Sequence, residues 1–231
     1  MKILALDSSG PNCSVALLDD TTVIANFNLN NGITHHSETL VPLVDELFKF
    51  ANMTINDVDA FACSIGPGSF TGLRIGIATI KGFALSLNKP VLSVPTLQSL
   101  AYNVPFFDGI VCTVLDARND NVYSALFNVK EKVEMIGDYI TDTIDTLIQE
   151  LKKYNSNILF VGDGSVSFKE RFENEFGDKA HFMPYHLNEQ TAISVAKAAH
   201  DKALLNDYDS VDALHPLYLR KSQAERALEE K

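Results

Sequence analysis

The segment Ser64-Ile-Gly-Pro-Gly-Ser-Phe-Thr-Gly-Leu-Arg-Ile-Gly76 constrains this chain more than any other. Ala60 to Ile65 is a short apolar run of the kind that forms a buried strand. Gly66-Pro67-Gly68 ends it, because proline fixes φ and glycine reaches backbone angles closed to other residues. Ser69 or Thr71 can cap the helix that follows, expected over about Phe70 to Leu87, with apolar residues at Phe70, Leu73, Ile77, Ile80, Ala84 and Leu87. Strand, glycine turn and helix start can together present backbone N–H groups to an anion. Neither a Walker A nor a GxGxxG spacing is present, however, and a tight turn that packs the helix on a sheet accounts for the same residues.

The helix is unusual in itself. Gly72 and Gly76 lie four apart, a small-residue stripe that lets another backbone approach. Its only charges are Arg74 and Lys81, seven apart and so on nearly one face. A helix this apolar on most sides is expected to be buried against more than its own sheet, which favours a subunit contact.

A faint internal duplication runs through the chain. Cys112-Thr-Val-Leu-Asp-Ala-Arg118 echoes Ile3-Leu-Ala-Leu-Asp-Ser-Ser9, and Ser124 to Leu126 falls where Val15 to Leu17 does at the same offset. Each half continues with a further strand (Val23–Leu29; Val133–Ile136), an amphipathic helix, a buried strand and a second helix. The first amphipathic helix carries Leu40, Leu43, Val44, Leu47, Phe48 and Ala51 on one stripe, and its counterpart is Ile144 to Leu151. The later strands are Ala60–Ile65 and Ile158–Val161, with helices from Ser69 and Ser165. Short strands at Val91–Val94 and His181–Met183 and helices near Leu97–Tyr102 and Thr191–Leu205 complete the halves. Three strands followed by alternating helices and strands, twice over, make an α/β pattern with mixed sheets. The order resembles the actin/Hsp70/sugar-kinase architecture of two RNase H-like halves, expected here at 1–106 and 107–221, with a polar C-terminal tail at 222–231.

With 231 residues, 46% of them hydrophobic, the chain can bury one large core or two smaller ones. A formal charge of −11 argues against an autonomous nucleic-acid surface, which needs clustered Lys and Arg. Cys13, Cys63 and Cys112 are odd in number and set in apolar runs, so buried thiols are expected rather than disulfides or zinc. The apolar start is too short for a signal peptide and Asp7 interrupts it; no run approaches membrane-spanning length, and a cytoplasmic protein is expected.

Asp7 and Asp116 occupy equivalent strand ends, where carboxylates of this architecture orient a magnesium-bound water beside nucleotide phosphates. The same residues also read as side-chain-capped turns. Ser8 and Ser9 stand where a nucleotide-binding loop commonly has glycine, and Gly162-Asp-Gly164 reads either as an adenosine-facing loop or as the turn into a helix capped by Ser165. His35 and His36 are adjacent and diverge on a helix, while His181 and His186 are five apart, so no metal site is expected. His36 is read as a helix start with Ser37 as its cap. No Gly-x-Ser-x-Gly announces a hydrolase.

The Gly-Pro-Gly-Ser-Phe-Thr-Gly-Leu-Arg core resembles the signature of the TsaB (YeaZ) family. Ile3 to Ser9, Cys13 to Leu17, His36-Ser-Glu-Thr-Leu40 with Pro42, Pro90-Val91, Leu115 to Arg118 with Val122-Tyr123, Gly162 to Gly164 and Pro216 to Arg220 extend the likeness over nearly the whole chain. The family resembles the catalytic protein TsaD, which carries a His-x-x-x-His metal pair just after the strand that here is Val91–Val94. Here Pro95 to Leu100 contains no histidine.

The resemblance therefore implies a non-catalytic partner subunit in the synthesis of threonylcarbamoyladenosine, the modified adenosine beside the anticodon. It implies a heterodimer with TsaD, the further pathway proteins TsaE and TsaC, and a homodimer when the chain is alone. It also implies tRNA contact mainly through partners and no cofactor of its own, ATP or ADP belonging at or through the partner complex. The docking surface is expected on the helices starting near His36 and Ser69, through His36, Leu40, Val44, Leu47, Phe70, Gly72, Arg74, Ile75, Gly76 and Thr79. Two alternatives remain at this point: an independent ATP-dependent phosphoryl- or carbamoyl-transferring enzyme using Asp7 and Asp116, and, ranked last, a peptidase.

Overall fold

Two apolar strand sets, each alternating between two covered faces, organise the molecule. The computed structural model describes residues 1–32 and 35–220; the tail expected at 222–231 lies outside the described residues. In the first lobe β1 (Lys2–Asp7), β2 (Cys13–Asp19) and β3 (Thr22–Leu29) form an antiparallel meander, and α1 (His36–Ala51) follows. Next come β4 (Ala60–Gly66), α2 (Phe70–Leu87), β5 (Val91–Pro95) and α3 (Thr96–Ala101). The second lobe repeats this order with β6 (Ile110–Asp116), β7 (Asn121–Val129), β8 (Val133–Thr143), α4 (Ile144–Leu151) and β9 (Ile158–Val161). It ends with α5 (Asp163–Ser167), α6 (Lys169–Phe176), β10 (Ala180–Phe182) and α7 (Ala192–Leu204). The sheets are ordered β3-β2-β1-β4-β5 and β10-β9-β6-β7-β8, so β1 and β6 are equivalent centres. Each pairs antiparallel with the next strand and parallel with the strand after the helix.

Side chains alternate in the expected way. Leu4, Leu6, Val15, Leu17 and Phe61 face α1 and α2, burying Leu40, Val44, Leu47, Ile77 and Ile80 among them. The opposite face is lined by Ile3, Ala5, Ala16, Ala60 and Ala62, and it carries α7. Small residues meet there on both sides, since α7 contributes Ala192, Ala196, Ala198, Ala199 and Ala203. Helices thereby cross between lobes: α7, from the second half of the chain, covers the first sheet, whereas Leu97, Leu100 and Ala101 of α3 pack on Val111, Leu115 and Phe127 of the second. A cut between 106 and 107 separates α7 from the sheet it covers.

Beyond α7 the chain returns across both lobes. Asp209 bridges to Val91, and its carboxylate accepts from Ser93 N (2.7 Å) and Ser93 Oγ (2.8 Å). Leu214 enters the first core, Leu217 N donates to Ile65 O (2.7 Å), and Leu219 packs on the second core.

Several local expectations change. β8 runs on to Thr143 rather than stopping at Ile136, because β7 pairs with it across a register shift at Ser124/Leu126 and Gly137 takes φ +69°. The helix expected from Ser165 begins at Asp163, with Gly162 as its cap, and breaks at Phe168. At α1 the cap is His35 without a side-chain bond, not Ser37. By length and composition α2 matches a membrane span, contrary to the expectation of no such run, yet its Leu73, Ile77, Ile80 and Ala84 are buried, the last three in the first core. All three cysteines are free and buried, and burial raises the Cys13 thiol to about 11 and the Cys112 thiol to about 12.

Candidate functional site

A cleft of about 620 Å³ opens where the carboxyl ends of β1 and β6 face each other across the lobes. Ser9, Gly10, Pro11, His36, Ser69 and Phe70 line one side; Asp116, Ala117, Arg118, Tyr123 and Asp163 line the other, with Gln190 between.

Asp7 and Asp116 are the last residues of their strands, and both cap a turn. Asp7 Oδ1 accepts from Ser9 N (2.8 Å), Ser9 Oγ (2.7 Å) and Ser64 Oγ (3.0 Å). Asp116 Oδ1 accepts from Arg118 N (2.8 Å), the same two-residue reach. The Asp7 carboxyl is fully covered and its Oδ2 has no hydrogen-bond partner. Burial pushes its pKa up, against the hydrogen bonds from Ser9 and Ser64. Asp163 Oδ1 accepts from Asp116 N (3.1 Å), and burial raises this carboxyl too, with repulsion from Asp116 adding to it.

In the first turn, the polar groups of Ser8 and Ser9 are engaged within the chain. The Ser9 amide is spent on Asp7, Ser9 O accepts from Ser69 N (2.8 Å), and Ser8 Oγ donates to Gly72 O (2.9 Å). Ser8 and Ser9 are each only 2% exposed. Gly68, Gly72 and Gly76 explain the closeness, since a Cβ at any of them would collide with Ser8 or Ser9. The glycine signature thus seats the start of α2 directly on the turn after β1.

The second loop is engaged in a similar way. Gly162 has φ +106°, and a Cβ at Gly162 or Gly164 would press into Val114. Asn188 locks the loop, accepting from Gly162 N (2.7 Å) and donating to Gly162 O (3.1 Å) and Ser165 Oγ (3.0 Å). Sequence reasoning missed Asn188, which lies 26 residues from Gly162 with no motif marking it.

Hydrolytic chemistry finds no support in these contacts. His36 Nε2 lies 3.1 Å from Asn12 O, and among the described residues no serine or cysteine hydrogen-bonds a histidine. Nor do three His, Cys, Asp or Glu side chains converge among the described residues.

Residues 23–228 match the family model described as TsaD: tRNA N6-adenosine threonylcarbamoyltransferase. The tRNA threonylcarbamoyladenosine biosynthesis protein TsaB of Bacillus subtilis is 31% identical over 227 residues, spanning 97% of this chain and 96% of that protein. The chain belongs to the TsaB (YeaZ) family. Among solved structures, YeaZ from Pseudomonas aeruginosa superposes with a TM-score of 0.79 at 25% identity, covering 94% of this chain and 99% of that one. A ROK hexokinase from Thermus thermophilus superposes with a TM-score of 0.53 at 10% identity, covering 88% and 99%, a likeness of fold that places TsaB among the sugar-kinase-like architectures.

In this TsaB chain the expected docking residues divide by face. Leu40, Val44 and Leu47 are buried in the first core, and Gly72 and Gly76 face Ser8, so none of these five offers an outer surface. His36 lines the cleft and Phe70 stacks on Tyr218. Arg74 is exposed; Ile75 and Thr79 are half-buried beside it. The outward face of α2 continues through Ala78, Gly82 and Leu85, all exposed, and a Cβ on Gly82 would meet nothing within 4 Å. On α1, Val41 and Phe50 are the exposed apolar groups. Spacing alone misled because Gly72/Gly76 and Ala78/Gly82 are both small pairs four apart. Six positions separate them, about 240° around a helix.

Proposed function

We propose that this chain is a non-catalytic subunit that docks on a threonylcarbamoyltransferase of the TsaD family and supports its modification of the adenosine beside the tRNA anticodon. One observation carries the reading: the outer face of α2 from Ile75 to Leu85 is uncharged apart from half-buried Lys81, and among the described residues nothing covers it. A helix with apolar residues on both sides wants a second protein against its free side.

The cleft supports the non-catalytic part. The hydroxyls of Ser8 and Ser9 are spent within the chain, and the stretch after β5, where TsaD carries its histidine pair, is built into the core through Thr96, Leu97, Ser99 and Leu100. The chain's acidity is in keeping with tRNA being held mainly by partners in the cytoplasm. In isolation the same face is expected to pair two copies of the chain through one two-fold surface.

The test is reconstitution. TsaD, TsaC and TsaE with threonine, bicarbonate, ATP and tRNA are expected to yield modified tRNA when this chain is present and none when it is omitted. Equal modification in its absence contradicts the reading.

A further inference from the structure

Arg74 stands at the start of the outward face of α2, and its side chain is held rather than free. Its Nε donates to Tyr218 Oη (2.9 Å), and its guanidinium carbon lies 5.8 Å from the ring centroids of both Phe70 and Tyr218. The two rings are stacked, with centroids 4.6 Å apart and planes 11° from parallel. Tyr218 is itself fixed by the segment that carries it: the preceding Leu217 N donates to Ile65 O (2.7 Å) and the following Leu219 packs on the second core.

A guanidinium has five N–H donors. Here one is used, and among the described residues Arg74 has no carboxylate partner and no other hydrogen bond. Among the described residues nothing satisfies the terminal NH1/NH2 pair, the fork that matches a carboxylate in two parallel hydrogen bonds. Two aromatic planes and one hydroxyl restrict the side-chain freedom that such a contact would otherwise lose on binding.

We infer that Tyr218 is a positioning residue that presents Arg74 to an Asp or Glu carboxylate on the protein docked against α2. This rests on the reading of α2's outer face as the docking surface and adds to it the chemistry of the partner: an apolar helical face bearing one acidic residue near the first turn of α2. It also gives the returning C-terminal segment a role, since the residue that aims Arg74 is anchored to both lobes.

The experiment is a double-mutant cycle on the full chain, read by calorimetric titration against the TsaD of the same host at low and high salt. Arg74→Gln is expected to weaken binding roughly tenfold and to flatten its salt dependence, as for loss of a charge-assisted contact. Tyr218→Ala is expected to weaken binding several-fold when Arg74 is present and to add nothing in the Arg74→Gln background. Tyr218→Phe, which keeps the ring packing, must show the same dependence on Arg74 should the alanine variant lower the melting temperature. Independent, additive losses overturn the positioning role. Ala78→Glu separates the two readings. If it abolishes binding while Arg74→Gln binds as the parent does, the inference falls and the docking surface stands. If Ala78→Glu binds as the parent does, both fall.

Discussion

Ser8 and Gly72, 64 residues apart, are locked together: Ser8 Oγ donates to Gly72 O (2.9 Å), and there is no room for a Cβ between Gly72 and the Ser8 carbonyl. The contact explains why glycine follows the motif's Ser69-Phe-Thr71. It makes the turn after β1 a seam between that strand and α2.

The first expectation follows from that seam. Gly72→Ala should destabilise the fold by about 1–3 kcal/mol through overpacking against backbone that cannot yield. Gly82→Ala, in open space on the same helix, should stabilise it by about 0.5–1 kcal/mol through helix propensity. Denaturant melts of the two variants decide it, and equal effects would show that the two glycines share one environment.

The two faces of the helical layer should likewise separate. Leu47 is fully buried, so Leu47→Ala is expected to cost about 2–5 kcal/mol. Ala78 is exposed, so Ala78→Glu should change stability by no more than about 0.5 kcal/mol, yet place a charge on the face proposed to receive a second protein. Sedimentation of the isolated chain should show Ala78→Glu shifted towards monomer, with the melting temperature of the parent at concentrations dilute enough for both to be monomers. A Leu47→Ala variant as stable as the parent would place α1 outside the core.

Asp7 should make stability depend on pH in an unusual sense. Burial raises its folded pKa above the unfolded value, so folding favours the protonated form. That contribution is complete below the unfolded pKa and is lost as pH rises through the folded one. Asp7→Asn, which retains an acceptor for Ser9 and Ser64 but cannot ionise, should therefore gain on the parent as pH rises above the ordinary carboxylate range. Parallel stability profiles for the two proteins would contradict a raised Asp7.

Nucleotide titration tests the filled first turn. Because Ser8 and Ser9 spend their polar groups internally, the isolated chain is expected to show no tight magnesium-dependent ATP binding by calorimetry. Submicromolar ATP binding with turnover would instead restore the independent-enzyme alternative.

Much of the fold was legible because its signals are local. The bounds of α2 follow from Gly66-Pro67-Gly68 and the Ser69 cap, those of α4 from one apolar stripe, and the equivalence of β1 and β6 from the repeated Leu-Asp at their ends. What was not legible depends on distant packing. The alanines of α7 mark a helix that sits close to a sheet, but nothing local says that the sheet belongs to the other lobe. Asn188 locks the Gly162 turn from 26 residues away, and Tyr218 reaches Arg74 across 144. Periodicity was least able to choose a face: it assigned to a partner the Gly72/Gly76 stripe that touches Ser8 within the chain.

The most direct test of the central claim is tRNA modification measured with the Ala78→Glu variant in the reconstituted system. The account requires a folded protein that melts as the monomeric parent does and that loses TsaD binding and modification together. Full modification supported by Ala78→Glu would contradict docking through the outer face of α2.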